Sequence, residues 1–155
     1  MLDSVEITTR VEDILNNHKG MEGAMLPILH AIQAEFGYVP QDALPLIAQE
    51  LTLSKAEVHG VMSFYHDFRE YPAGKHVLKL CRAESCKSVG ADRVAAHAQK
   101  AMGIEWHETT KDGNITLEPV FCLGLCACGP AAIIDGKLVG RVDEAKIDAL
   151  IGGLK

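Results

Sequence analysis

The chain has 155 residues, of which 48% are hydrophobic, with a formal net charge of −6 and a pI near 5.6. That supplies apolar material for one ordinary domain, or two small ones with separate cores. An acidic chain with no basic run argues against nucleic acid and anionic membrane surfaces as partners. No stretch reaches the roughly 18 consecutive apolar residues of a membrane span, so no direct membrane insertion is expected. The first ten residues lack a basic stretch followed by an apolar run, so no secretion signal is expected and the chain reads as cytoplasmic. In that compartment clustered cysteines point to metal or redox chemistry rather than disulfides. The cysteine count of five is odd, so the thiols cannot all pair within one chain.

The first part of the chain reads as helices. Thr9-Arg10-Val11-Glu12 has the form of a capping box, with Val11, Ile14 and Leu15 on one face and Gly20 as a stop. A second helix is expected from near Glu22, with Pro27 in an early turn, apolar Leu26, Leu29, Ile32 and Phe36, and Gly37 as its end. A third runs from Gln41 to Leu51 on Leu44, Ile47, Ala48 and Leu51. A fourth opens with the box Ser54-Lys55-Ala56-Glu57 and carries Val58, Val61 and Met62. Four short helices with short links predict a small bundle over residues 1–72. The polar, turn-rich run Tyr71-Pro72-Ala73-Gly74-Lys75 marks the boundary.

Beyond it the pattern changes. His76 to Leu80 alternates like a strand and delivers Cys81. Ser88 to Met102 reads as one amphipathic helix stopped by Gly103. Ile104 to Glu108 and Ile115 to Phe121 are strand candidates around the turn Lys111–Asn114, and the second delivers Cys122. Ala131 to Ile134 and Lys137 to Val142 form a hairpin on the two-residue turn Asp135-Gly136. Asp143 caps a last helix with Ile147, Leu150 and Ile151, stopped at Gly152-Gly153. The expected order is β-α-β-β-β-β-α. The fold class is α/β: a small N-terminal helical bundle, then a thioredoxin-like α/β domain over residues 73–155.

Four of the cysteines form two pairs, Cys81-x4-Cys86 and Cys122-x3-Cys126, with thirty-five residues between them. Both pairs are expected on loops after strands, where a sheet can fix their separation. Four converging thiolates suit a [2Fe–2S] cluster or a structural zinc. The Cys-x3-Cys pair serves either metal, and Cys-x4-Cys lies at the edge of the zinc range, so spacing leaves both open. A thioredoxin-type disulfide catalyst needs Cys-x2-Cys, which does not occur. Gly124 removes a side chain between two candidate ligands, letting backbone N–H groups approach sulfur. Cys128 is left over and reads as a free, partly buried thiol.

His59 and His66 lie seven apart and can share a helix face if the helix continues, as partner-facing or core residues rather than ligands. His30 reads as a satisfied histidine among apolar neighbours, and His76 as a strand residue. Trp106 and Phe121 read as core aromatics. Phe64, Tyr65 and Phe68 fit a docking patch and ordinary packing equally well. No G-x-G-x-x-G phosphate loop occurs, so neither NAD nor FMN is expected on this chain.

Cys81-x4-Cys86 with Cys122-Leu123-Gly124-x-Cys126 resembles the thioredoxin-like [2Fe–2S] ferredoxins. Within them the chain is similar to the small peripheral subunit of respiratory complex I and its soluble relatives. The likeness includes Glu35–Pro40, His59–Tyr65, Glu108–Gly113 and Asp135–Lys137. The compact length and the run Phe64–Phe68 look most like the gamma subunit of soluble NAD-dependent formate dehydrogenase. The corresponding subunits of complex I and of NAD-linked hydrogenases are the alternatives, and a zinc-stabilised interaction module is a remote one. The resemblance implies one [2Fe–2S] cluster on Cys81, Cys86, Cys122 and Cys126. It implies FMN and NAD on a beta-type partner subunit within a larger molybdenum-containing formate dehydrogenase complex. As a non-catalytic subunit, the chain would then exchange single electrons with that flavin, and residues 1–72 would dock the partner.

Overall fold

A computed structural model describes residues 4–154 of the chain, which divides into two units between Pro72 and Ala73. The first unit holds four helices: α1 (Ser4–Asn17), α2 (Met25–Phe36), α3 (Ala43–Glu50) and α4 (Lys55–Phe64). Their apolar residues recur at helical spacing, so each helix presents one buried stripe. Ile7, Val11 and Leu15 of α1 meet Ile28, Leu29 and Ile32 of α2, Leu44 and Ile47 of α3, and Val58 and Met62 of α4.

The Thr9 box is not a helix start. Ile7 extends the apolar stripe one turn upstream, so α1 already begins by Ser4, and the Thr9 hydroxyl donates back to the Val5 carbonyl at 3.0 Å. Glu22 lies before α2, and α3 is shorter at both ends than Gln41–Leu51. Pro27 sits in the first turn of α2, where its missing N–H costs nothing. Gly37 takes φ 78° and donates to the Gln33 carbonyl at 2.8 Å, closing α2. The Ser54 box forms with both arms: Glu57 N–H donates to Ser54 Oγ at 3.2 Å and Ser54 N–H to Glu57 Oε2 at 2.8 Å. The Ser54 backbone N–H, then its hydroxyl, hold the Glu57 carboxyl below the usual carboxylate range.

Because α4 stops at Phe64, His59 and His66 do not share a helix face; His59 lies 3.9 Å from Glu70 and His66 is exposed. His30 is exposed rather than enclosed and packs its ring, tilted, against buried Phe68 with 4.9 Å between centroids. Phe64 and Tyr65 are exposed, so the aromatic run divides between packing and surface.

The second unit is α/β. It contains β1 (His76–Cys81), α5 (Glu84–Ser88), α6 (Ala91–Met102), β2 (Ile115–Val120), a 3₁₀ turn (Cys126–Cys128), β3 (Ala132–Ile134), β4 (Lys137–Val139) and α7 (Glu144–Gly152). The sheet order is β2-β1-β3-β4, with β1 parallel to β2 and antiparallel to β3. Alternate residues Leu78, Leu80, Ile115, Leu117, Ala132 and Ile134 face Val94, Ala98, Ile147 and Ile151 of α6 and α7. The helix expected over Ser88–Met102 begins later, at Ala91, and a separate short helix, α5, precedes it, with Gly90 at φ 101° between them. The expected strand over Ile104–Glu108 does not form. His107 adopts φ 66°, the Glu105 N–H is claimed by the Glu108 carboxylate at 2.8 Å, and Thr109 alone bridges to Thr116.

Asp135 and Gly136 take φ 47° and 81°, the positive pair that a tight two-residue hairpin requires. Asp135 also accepts from the Val77 N–H at 2.9 Å and contacts His76 Nδ1 at 2.6 Å, tying the turn to the start of β1. Partial burial pushes its carboxyl up, but His76, the Val77 N–H and Lys137 outweigh this and hold it below the ordinary value. A depressed native pKa stabilises the fold above the unfolded pKa of about 3.9 and stops doing so as pH falls through the native value. Acid titration below pH ~4 is therefore expected to destabilise wild type more steeply than Asp135→Asn. Parallel unfolding curves of the two across that range would refute this role.

A second consequence concerns Gly74, whose N–H donates to the Thr116 hydroxyl at 2.7 Å. A Cβ there would stand 2.9 Å from the Asn114 carbonyl oxygen, which is backbone and cannot swing aside. Gly74→Ala is expected to cost ~1–3 kcal/mol by overpacking. The denaturation midpoint should fall with an unchanged m value.

Candidate metal centre

The sheet order explains how cysteines so far apart in sequence meet. Strand β2 runs parallel to β1 and ends beside Cys81, in register with Val120. Strand β3 starts at that same end on the other side of β1, with Ala132 opposite Leu80. The segment from Phe121 to Ala131 must therefore cross the end of β1, carrying Cys122 and Cys126 over Cys81. Two backbone bonds fix the crossing: Cys81 N–H to the Ala131 carbonyl at 2.9 Å, and Arg82 N–H to the Val120 carbonyl at 2.8 Å.

Cys81 is the last residue of β1 and Cys86 lies within α5, so this pair is not on a loop as the sequence suggested. Both are buried, whereas Cys122 and Cys126 are exposed. Ala91 and Ala131 are buried beside Cys81 and Cys86, and Ala83, Val120, Leu123 and Leu125 pack around them. Burial pushes the Cys81 thiol up, but the Ala83 N–H, the Cys86 thiol and the N–H groups of Cys122 and Leu123 outweigh it and leave the thiol below its ordinary value. Cys86 moves the other way: burial, donation to Cys81 and the nearby charges of Cys81 and Cys126 raise it, against one N–H from Ala131. Of the two, Cys81 is therefore the thiol that ionises more readily.

Cys122 takes φ 94°, a left-handed conformation rare for a side-chain-bearing residue. Gly124 donates its N–H to Cys122 Sγ at 3.4 Å. A Cβ at Gly124 would meet nothing within 4 Å, so its backbone at φ 74°, not lack of space, calls for glycine. At Gly129 space is tight: a Cβ would lie 3.1 Å from Val89 Cγ2 and 3.5 Å from Cys86 Sγ. Cys128 is half-buried, faces Gly140, and accepts the Arg141 N–H on its carbonyl.

Of three further residues, Phe121 departs from its expected place, while Trp106 packs against the core and His76 lies in a strand as expected. Phe121, next to Cys122, is 72% exposed and is not a core aromatic. Trp106 is partly buried, with the Arg82 guanidinium 5.2 Å from its ring centre. His76 is bonded to Asp135 at the start of β1, away from Cys81. The donors on Ala83, Leu123 and Ala131 were missed because backbone N–H direction carries no residue-type signal.

Among the described residues no three His, Cys, Asp or Glu side chains converge as ligands of a single ion. A [2Fe–2S] cluster divides four thiolates between two irons. Two cysteine pairs flanking one strand end, lined by small apolar residues and aimed N–H groups, fit that group.

Comparison with known proteins agrees. Residues 11–155 match the family described as thioredoxin-like [2Fe–2S] ferredoxin. The chain is 34% identical over 132 residues to an NADH-quinone oxidoreductase subunit of Pseudomonas aeruginosa, covering 85% of this chain and 80% of that one. It is 30% identical over 130 residues to the NADP-reducing hydrogenase subunit HndA of Solidesulfovibrio fructosivorans, covering 84% and 76% respectively. Among solved structures, the air-oxidised NAD+-reducing [NiFe]-hydrogenase superposes with a TM-score of 0.71 at 27% identity, over 84% of this chain and 22% of the hydrogenase chain. The family match runs through both units and includes both cysteine pairs, and on that ground the chain belongs to the thioredoxin-like [2Fe–2S] ferredoxin family.

Proposed function

We propose that the chain is the electron-transfer subunit of an NAD(P)-linked oxidoreductase complex, of the NADH-quinone oxidoreductase or hydrogenase type, with its cluster on Cys81, Cys86, Cys122 and Cys126. The observation that carries this is the crossing of the Cys122–Cys126 loop over the strand end that holds Cys81. When bound, the cluster supplies exchange of one electron at a time. The residues supply the rest. Cys81 offers a thiolate already favoured by three backbone N–H groups. Cys86 Sγ gives up its proton on loading, since a thiol must ionise to ligate. The N–H groups of Ala83, Leu123, Gly124 and Ala131 disperse thiolate charge, easing the gain of further negative charge in a low-dielectric site. The small apolar wall excludes water from Cys81 and Cys86.

Hydride chemistry belongs to FMN and nicotinamide on a partner subunit, and the helical unit docks that partner in the cytoplasm. The named relatives favour NADH-quinone oxidoreductase and hydrogenase as parent complexes over the formate dehydrogenase that the sequence suggests.

An anaerobic preparation tests this. Two irons and two acid-labile sulfides per chain, with an S = 1/2 EPR signal on reduction, are expected from one cluster. A colourless protein with one zinc would sink the reading. Native co-purification assigns the parent: membrane subunits indicate the quinone oxidoreductase, a nickel–iron subunit the hydrogenase, and a molybdopterin subunit formate dehydrogenase.

A further inference from the structure

Beside the cysteines lies an open groove lined by Leu125, Cys128, Leu138, Gly140, Arg141 and Lys146. One wall is the cysteine loop itself, since Leu125 precedes Cys126 and Cys128 ends the 3₁₀ turn. The other is the exit of β4 and the first turn of α7. A Cβ at Gly140 would stand 3.0 Å from both the Cβ and the carbonyl oxygen of Cys128, so glycine lets the two walls approach. Leu138 is 56% exposed.

The charge of the lining is one-sided: two cations and no carboxylate, on a chain of net charge −6. Of the neighbouring acids, Asp143 caps α7, the helix that carries Lys146, by accepting the Lys146 N–H at 2.8 Å, and Glu144 is paired away from the groove, with Arg93 at 3.2 Å. Lys146 Nζ donates to the Gly140 carbonyl at 2.9 Å, which holds the ammonium at the rim and leaves other protons to donate.

We infer that this groove seats an acidic segment of the flavin-bearing partner subunit, its carboxylates on Arg141 and Lys146 and an apolar side chain on Leu125 and Leu138. The inference rests on the function proposed above and adds to it the place and chemistry of contact. A segment seated there lies against the loop that carries exposed Cys126, so docking and electron exchange share one surface. Cationic complementarity of this kind acts mainly on encounter and register, and is screened by salt.

The test uses the tagged, cluster-loaded full chain recovered with its native complex. Arg141→Glu combined with Lys146→Glu is expected to lower retention of the flavin-bearing subunit about tenfold at low salt, with the deficit narrowing as salt rises. Leu138→Ser is expected to lower it at all salt concentrations. Iron content and EPR spectrum should match wild type in both, which separates lost docking from misfolding. Carbodiimide coupling should join Lys146 Nζ to an Asp or Glu of the flavin-bearing subunit. Equal retention by all variants, or Lys146 links confined to this chain, overturns the groove alone. Recovery of no flavin-bearing subunit by wild type overturns the proposed function and the groove with it.

Discussion

Cys86→Ser is expected to abolish cluster binding while leaving the apoprotein folded. Cys86 is 2% exposed and sits in α5, wedged where even a Cβ on Gly129 would come within 3.5 Å of its sulfur. Serine fits that space and can reproduce the two hydrogen bonds the thiol makes, donating towards Cys81 and accepting the Ala131 N–H. Its cost to the apo fold should therefore stay within about 1 kcal/mol, the net scale of one hydrogen bond. It cannot reproduce the soft, ionisable sulfur that iron requires. Iron and labile sulfide should fall from two each to near zero, with loss of the EPR signal. Cys81→Ser should do the same at greater cost to the apo fold, because several N–H donors are aimed at that sulfur. Exposed Cys126 should tolerate serine better, with a weakened cluster rather than none. Cys128→Ser should leave iron content unchanged. A Cys86→Ser protein with two irons and a wild-type spectrum would remove this residue from the ligand set.

The sequence makes some of this visible and conceals the rest for physical reasons. Capping at Ser54 and Asp143 and the Asp135-Gly136 turn are legible because each is a local rule, satisfied within four residues. Thr9 obeys the same local pattern and fails, because a stripe of buried Ile7, Val11 and Leu15 outweighs a cap. Gly90 reads as an ordinary residue near a helix start, although its left-handed backbone separates α6 from the short α5 before it. Ile104–Glu108 looks like a strand by composition, but its backbone groups bond to side chains and to the flank of β2. The cysteine pairing is legible from spacing. Its burial asymmetry is not, since that depends on which strand end the loop crosses. Phe121 shows the limit: an aromatic at the end of an expected strand reads as core, yet β2 ends at Val120 and leaves the ring outside.

Leu117→Ala should have the largest effect on the second unit, and the cluster should report it from a distance. Leu117 is fully buried at the middle of β2, in register with Leu78, with α6 and α7 packed over the same core. Its truncation leaves a cavity that backbone hydrogen bonds to His107 and Glu108 keep from collapsing. Such substitutions cost ~2–5 kcal/mol. For a domain of 60–100 residues each kcal/mol is worth roughly 4–8 °C, so the transition should fall by about 10 °C or more, by that scaling. The same strand leads into Cys122, so loosening it should speed loss of iron under chelation while leaving the EPR g values unchanged, because the four sulfurs are untouched. Ile32→Ala is the control. Ile32 is equally buried, in α2, and its core shares no residue with that of the sheet. A similar loss of stability is expected there, with retention of the cluster as in wild type and weaker hold on the partner. Distant sites without shared partners behave additively. If Ile32→Ala sheds iron as fast as Leu117→Ala, the two units unfold as one cooperative body, and the helical unit supports the cluster as well as the docking assigned to it.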